Sequence, residues 1–503
     1  MTDKIIFWSY ANIMYFGLAK YLHELYDCEL FSIIDTTNKS KKFFQEQNII
    51  KFKKFWFYHD HILKFDKKPD LKYLSIFEEK YKINLWLLAY NERFFFDYNL
   101  FHKFTSEQIL SILENECRLF EEILDEINPD FLIMASPNHH FDYLFYHMCK
   151  IRGVKILIQG PSRFGGRCII SEKVDEIDSK KIPHIVSKKS FEELENYLKI
   201  YNITDEGKKL RKNFANSLTL YLKAGVNYLQ TKNSNIKTHY TYFGRTKLKV
   251  ILIILKYFFI EKYRKYFIDK HFVYDLNTKN PFVFFPLTTE PESTLLLYAP
   301  FFTDQLDLIR KIAKSLPIEY KLFIKDHPLQ NIRGWRTTSF YKEIMKLPNV
   351  VMLHHTIPVD EIIKKSSLVI TIASTAGMEA AFYQKPSIVF ADVLYASLPS
   401  VHKLESITEL PDVIRNSLQK KVNIDDLNKF LNYADENSFE FDLTEMDLNY
   451  MKQFFYGGYL TDVEISEKHI KSFLEDPNNR EKFQLIANEH IKKIKQLKQS
   501  TNN

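Results

Sequence analysis

Several absences set the first limits on this chain. Its 503 residues include only 12 glycines, four cysteines and four tryptophans. So few glycines exclude a collagenous or Gly-rich linker chain. Cys28, Cys117, Cys149 and Cys168 are too sparse for a disulfide framework and fit no zinc-binding spacing. Free thiols in a reducing compartment are expected. No apolar run approaches the roughly 20 residues needed to cross a bilayer. The longest, 250–260, is interrupted by Lys256. The start, MTDKIIFWSY, has neither a long apolar stretch nor a small-residue cleavage site, so no signal peptide is expected. There is no GxGxxG, Walker A, GxSxG or HExxH pattern, and no Asp-x-Asp triplet. Dinucleotide binding, P-loop chemistry and the metal–diphosphate signature of single-domain nucleotide-sugar transferases are therefore not expected.

Aromatic residues are abundant, with 43 Phe and 30 Tyr. That excludes disorder as the dominant state, and the length suggests two to four domains with their own cores. The formal charge of +7 is concentrated. Residues 245–270 hold eight basic and two acidic side chains, a net +6 in one segment. The remainder is close to neutral, which argues against a general nucleic-acid binder. Two readings of 245–270 stand side by side. One is a helix lying on an anionic membrane face, which would make a cytoplasmic protein peripheral on the inner side of the cell membrane. The other is an amphipathic helix packed on a domain with its Lys and Arg solvated.

Apolar periodicity gives the organisation. Residues 4–10 and 29–34 read as strands. Thr105 and Gln108 form a capping-box pattern ahead of Ile109, Leu113, Cys117, Phe120, Leu124 and Ile127, a helical stripe that Asn128-Pro129 ends. A strand at 131–135, a helix over 140–152 capped by Gly153, and a strand at 154–158 make a βαβ unit, hence a parallel sheet. The alternation breaks over 171–280. It resumes at 281–285 and continues through strands at 320–325, 350–353, 368–372 and 387–390, a second doubly wound domain. The expected division is 1–170 as an N-terminal Rossmann-like domain, 171–280 as a helical insertion, 281–424 as a C-terminal Rossmann-like domain and 425–503 as a helical tail. The basic run 492–498 reads as a solvated terminal helix. Two α/β domains of this kind face each other across a cleft with the carboxyl ends of their strands, where ligands bind.

Residues just after strands are thus the candidates. In 368–386, LVITIASTAGMEAAFYQKP, a strand runs into Ser374-Thr375 and a helix opens at Gly377. Hydroxyls and free N–H groups there suit a phosphate, and Glu379 one turn on is placed to reach a ribose hydroxyl. In KLFIKDHP, Lys325, His327 and Pro328 follow another strand, and an anion would favour protonated His327. Thr288, Thr289, Glu290 and Glu292 occupy a third strand-end loop. In the first domain, SPNHHFD presents His139, His140 and Asp142 as candidate general bases. Adjacent histidines splay apart, so no metal site is expected there. The loop GPSRFGGR offers Arg163 and Arg167 to an anionic substrate.

FPLTTEPEST, APFFTDQ, the KDHP turn, SFYKEI–LPNV and TIASTAGMEAAFYQKPSIVFADVLY, in that order, resemble the capsule polysaccharide biosynthesis protein family, which includes β-Kdo transferases. The resemblance covers about 282–410. It implies a GT-B glycosyltransferase, metal-independent and without a cofactor, whose nucleotide-sugar donor sits in the C-terminal domain. A CMP-sugar is one such donor. It places the nucleotide at His327-Pro328 and its phosphate at Ser374-Thr375. The family's turn more often reads Lys-Glu-His-Pro, so Asp326 is a departure. The acceptor would be a surface polysaccharide or glycolipid, and an in-line displacement would invert the anomeric centre. Rival readings are a CDP-polyol phosphotransferase, a UDP-sugar 2-epimerase and a non-enzymatic membrane scaffold.

Overall fold

The computed structural model describes residues 2–501 apart from 11–12, 63–66, 98–99, 164–165, 179–187 and 201–217. Parts of the expected insertion and two residues of the GPSRFGGR loop, Phe164 and Gly165, lie outside the described residues. The N-terminal lobe is built from β1 (Asp3–Tyr10), α1 (Ile13–Leu25), β2 (Cys28–Asp35), β3 (Lys54–Phe57), α2 (Ser106–Ile127), β4 (Phe131–Ala135), α3 (His140–Ile151), β5 (Lys155–Pro161) and β6 (Arg167–Ser171). Two helices of the insertion follow, α4 (Leu218–Gln230) and α5 (Lys247–His271). The C-terminal lobe comprises β7 (Phe282–Pro286), α6 (Gln305–Ser315), β8 (Lys321–Lys325), β9 (Val350–Leu353), β10 (Leu368–Thr371), α7 (Ala376–Phe382), β11 (Ser387–Val389) and β12 (Val401–Lys403). The chain ends through α8 (Ile424–Glu436), β13 (Phe439–Glu440) and α9 (Pro477–Thr501).

Each lobe has one sheet. The strand orders are β13-β6-β5-β4-β1-β2-β3 and β12-β11-β10-β7-β8-β9. The second sheet is parallel throughout, and the first is parallel from β3 to β5. In each, the chain starts mid-sheet, runs to one edge and returns to the other side of its first strand. The order therefore reverses between β1 and β4, and again between β7 and β10. Crevices at such reversals are where doubly wound sheets take ligands. All five residues of β7 are buried, as a strand covered on both faces requires.

Local chemistry explains the boundaries. Thr105 and Gln108 form the expected reciprocal cap of α2. Asn128 ends that helix in the left-handed region, and Gly153 turns the chain after α3 at φ +78°. Trp8 of β1 packs on Phe120, Phe141 and Phe145 with ring centroids 5.7–5.8 Å away, joining the sheet to α2 and α3.

The C-terminal segment departs from the expected tail. It is not a separate unit, because α8 buries Leu427 and Leu431 in the C-terminal core and the rest returns to the N-terminal lobe. β13 pairs antiparallel with β6. α9 buries Phe483, Ile486, Ala487, Ile494 and Leu497 in the N-terminal core. It crosses α1 at Gly17, where a Cβ would stand 2.4 Å from the Phe483 ring. The basic run on α9 is solvated on one side only, since Lys493 pairs with Asp178 at 2.9 Å and Lys498 with Asp3 at 2.7 Å.

The lobes meet near their strand carboxyl ends. Leu297 of the C-terminal lobe lies in the N-terminal core, and Tyr298 Oη donates to Pro137 O at 2.7 Å. The architecture is the GT-B-like pair of doubly wound lobes. All four cysteines are buried and free. Among the described residues, no helix is long and apolar enough to cross a membrane.

Candidate active site

The crevice between β7 and β10 carries two pairs of hydroxyl residues. Beyond β10, Ser374 and Thr375 lead into α7. Ser374 Oγ accepts the Ala376 N–H at 3.3 Å, which leaves the hydroxyl proton to point elsewhere. Thr375 Oγ1 donates to Glu379 Oε1 at 2.9 Å. Glu379 is buried and turned toward this hydroxyl, so it positions Thr375 instead of reaching a ribose, which corrects the expectation for it. Burial raises its pKa, while the Thr375 bond opposes the rise. A protonated Glu379 would donate to Thr375 and free the threonine proton for an anion. Beyond β7, the Thr288 and Thr289 hydroxyls are buried without a hydrogen-bond partner. Unsatisfied buried hydroxyls beside a crevice are groups that a ligand or water can complete.

Gly377 makes room for a neighbouring side chain. A Cβ there would meet Tyr395 Oη at 2.9 Å and Thr371 Cγ2 at 3.0 Å. The glycine thus admits the tyrosine, whose hydroxyl bonds Ser374 O and fixes the turn.

The KDHP turn follows β8, next to β7. His327 Nδ1 accepts the Leu329 N–H at 3.1 Å. In the neutral ring the proton is therefore on Nε2, as a donor. Pro328 opens the short 3-10 turn Pro328–Asn331, and Lys325 is buried at the strand end. Asp326 faces inward. It takes Arg336 Nε at 3.0 Å and the Tyr341 hydroxyl. Arg336 also bonds Thr288 O and pairs with Glu290. This buried guanidinium locks the β7 loop to the β8 turn, and the Asp326 departure is part of that lock.

Glu292 lies among Arg333, Arg163 and Arg93. Its burial raises its pKa and the three cations oppose the rise. Arg163 is held charged by Asp175, with two contacts of 2.9 Å. The fields of Tyr395 and Glu292 also act on it, which puts this N-terminal-lobe arginine beside C-terminal-lobe groups. Arg167 instead ties β6 to Asp435 O and Ser438 at 2.8–2.9 Å. It is a structural clamp and not a substrate contact.

The β1/β4 crevice separates the three candidate bases. His140 is fully buried, with Nδ1 at 2.7 Å from Glu92 Oε2 and Nε2 at 3.0 Å from Glu116 Oε1. Burial alone would lower its pKa, but Glu116 and Glu92 raise it to about 10. Asp142 is also fully buried. It accepts the Asn138 and His139 N–H groups at 2.9 and 2.8 Å and the Tyr10 hydroxyl. Both residues build the loop and neither can meet an acceptor, a correction to the expectation for them. His139 differs. Its ring is partly exposed, stacks between Phe94 and Phe141 at 5.0 and 5.1 Å, and has Nδ1 3.5 Å from Glu92 Oε1.

Sequence reasoning missed the groups that act at a distance. Arg93 bonds Asn138 Oδ1 at 2.8 Å and holds the loop. Asp35, at the end of β2, pairs with His59 at 3.0 Å. Burial would raise its pKa, but His59, His139 and His239 lower it on balance, so it stays ionised. An Asp at a strand end was the available signal. Among the described residues, one group has metal-ligand spacing: Asp269, His354 and His355, with ligand atoms within 4.8 Å of one another. It does not involve His139 or His140.

Two doubly wound lobes, hydroxyls at one crevice and a histidine at the other define a two-lobed α/β protein with a crevice at each reversal of strand order. Residues 192–399 match the family described as capsule polysaccharide biosynthesis protein. The match takes in α4 and α5 as well as the sheet from β7 to β11. Among curated proteins, the chain is similar to the capsule polysaccharide export protein KpsS of Escherichia coli. They share 30% identity over 105 residues, 19% of this chain and 26% of that protein. The match thus spans about a quarter of that relative's length. Among solved structures, the chain is similar to Thermosulfurimonas dismutans KpsC, beta Kdo 2,7 transferase. That likeness has 12% identity, covers 69% of this chain and 87% of that one, and has a TM-score of 0.28. The UDP-GlcNAc 2-epimerase from Methanocaldococcus jannaschii is similar at 11% identity, over 86% of this chain and 99% of that one, with a TM-score of 0.23.

Proposed function

We propose that this protein is a glycosyltransferase of capsule polysaccharide synthesis that binds a nucleotide-activated sugar in its C-terminal lobe. The observation that carries the reading is the β7/β10 crevice, with Ser374 and Thr375 on one side and the unsatisfied Thr288 and Thr289 hydroxyls on the other. In the reaction, the bond between the sugar's anomeric carbon and the nucleotide phosphate breaks, and the phosphate keeps the electron pair. Ser374, Thr375 and His327 Nε2–H stabilise that charge without a metal ion. His139 takes the proton of the acceptor hydroxyl, on a glycan or glycolipid, as its oxygen attacks the anomeric carbon. Glu92 Oε1 lies 3.5 Å from His139 Nδ1, in the place of the carboxylate that stands behind a general base. A single displacement of this kind inverts the anomeric centre. The meeting of the lobes at Tyr298–Pro137 supports a reaction in the gap between them.

The test begins with a thermal-shift screen against CMP, CDP, UDP and GDP, since a ligand that binds only the folded state raises its melting temperature. One nucleotide is expected to stabilise the protein, and His327→Ala with Ser374→Ala to remove that shift. No shift with any nucleotide, or an unchanged shift in both variants, overturns the donor site. Phosphorus carried into the product would assign the chain to polyol-phosphate transfer. Conversion of a UDP-sugar without an acceptor would assign it to epimerisation.

A further inference from the structure

The insertion helices α4 and α5 turn apolar side chains away from the protein. α5 has a half-buried stripe of Val250, Ile253, Tyr257 and Ile260 on one side, and only Phe267 and Ile268 of the whole helix are buried. Arg264 anchors its far half by bonds to Gly334 O and Trp335 O at 2.8 and 2.7 Å. The opposite side carries Leu248, Ile251, Leu252, Leu255, Phe259 and Tyr266, all between 40% and 68% exposed. Their spacing of mostly three and four residues makes one continuous outward stripe. Lys249, Lys256, Lys262 and Lys265 are exposed among and beside them. The expected amphipathic helix with only its charges solvated is therefore not what forms: α5 is apolar on both faces.

α4 repeats the pattern. Leu218, Leu222, Val226 and Leu229 are exposed at spacings of four, four and three, while Ala224 is buried. Lys247 Nζ donates to Leu229 O at 2.6 Å and ties the end of α4 to the first turn of α5. Two adjoining helices with exposed apolar stripes exceed what a water-facing surface normally shows.

We propose that α4 and α5 form a docking surface for an anionic lipid bilayer, lying in the plane of the headgroups. Charge complementarity selects this occupant. A segment of net +6 is attracted to anionic phosphates, whereas a second copy would bring the same charge against it. The apolar stripe enters the acyl boundary and the lysines reach back to the headgroups. No described helix can span a bilayer, so the contact is interfacial. The proposal does not depend on the reaction assigned above.

Flotation of the full chain with vesicles tests it. Vesicles of phosphatidylglycerol and phosphatidylcholine in equal parts are expected to bind the protein, and the binding is expected to weaken as salt rises. Phosphatidylcholine alone is expected to bind at least tenfold less. Leu255→Glu with Phe259→Glu should lose at least tenfold in binding while keeping the melting temperature, because both side chains are exposed. Replacing Lys249, Lys256, Lys262 and Lys265 by Gln should cost about fivefold per lysine, from about 1 kcal/mol each. Failure to bind either vesicle, binding indifferent to lipid charge, or unchanged binding by the Leu255/Phe259 variant overturns the proposal. A dimer that this variant converts to monomer, without vesicle binding, would give the surface to a second copy and overturn it as well.

Discussion

Replacing His140 by Gln separates a structural histidine from a catalytic one. In the wild type, both ring nitrogens contact buried carboxylates, at 2.7 Å to Glu92 and 3.0 Å to Glu116. The variant leaves two carboxylates buried without a cation between them, and breaking such an arrangement costs about 3–5 kcal/mol. The pKa gives an independent figure. A rise from 6.5 to about 10 corresponds to roughly 5 kcal/mol at about 1.4 kcal/mol per unit, as an upper bound. The folded-state value lies above the unfolded one, so this stabilisation is complete below pH 6.5 and is lost as pH rises toward 10. The stability gap between wild type and His140→Gln, measured by urea unfolding, should therefore be widest near pH 6 and shrink steadily toward pH 10. At pH 6 the expected loss lowers the melting temperature by about 10 °C, taking about 2–4 °C per kcal/mol for a lobe of this size. A gap that does not change with pH, or one under about 1 kcal/mol at pH 6, refutes the argument that the imidazolium holds these carboxylates.

His139→Ala should behave in the opposite way. It is expected to lower kcat by about 100-fold or more while nucleotide affinity stays near wild type and the melting temperature falls by less than in His140→Gln, measured by a transfer assay and calorimetry. Glu379→Gln should keep nucleotide binding, because the amide can still donate to Thr375, whereas Glu379→Ala should weaken it several-fold by titration calorimetry. Gly377→Ala is expected to destabilise the C-terminal lobe by about 1–3 kcal/mol through contact with Tyr395 and Thr371. Tyr395→Phe should relieve that loss only in part, since the ring edge stands 3.0 Å from the added Cβ. Transfer activity is expected to persist in EDTA, and loss that zinc or magnesium restores would contradict a metal-free departure of the nucleotide.

Elements with local causes could be read from the sequence. The Thr105–Gln108 cap, the 131–135 strand and the Gly153 turn depend on residues within a few positions of each other, and they form as expected. The rule that ligands collect beyond strand ends singles out Ser374, His327 and His139 as candidates. What it could not resolve was which of neighbouring residues turn inward. His140 is committed to partners 48 and 24 positions away, and no local pattern encodes that. Asp142 was recognisable, because an acidic residue three after a helix cap is a capping position before it is a base. Arg336 and Asp326 join loops through the core and show no periodicity. The segment 425–503 reads as a helical tail, and its packing on both lobes rests on partners far away in the sequence. Yet Phe483, Ile486, Ala487, Ile494 and Leu497 recur at helical spacing, the mark of one buried face.

The return of α9 to α1 has a consequence for biogenesis. The first lobe is discontinuous, with the entire second lobe threaded between its two portions. During synthesis the second lobe has all its strands available while the first still lacks β13 and α9, so α1 must wait with its Gly17 face uncovered until α9 has emerged. A nascent chain halted anywhere before residue 477 would expose that seam to chaperones and proteases, and quality control at this one crossing would separate molecules that carry α9 from those that lack it.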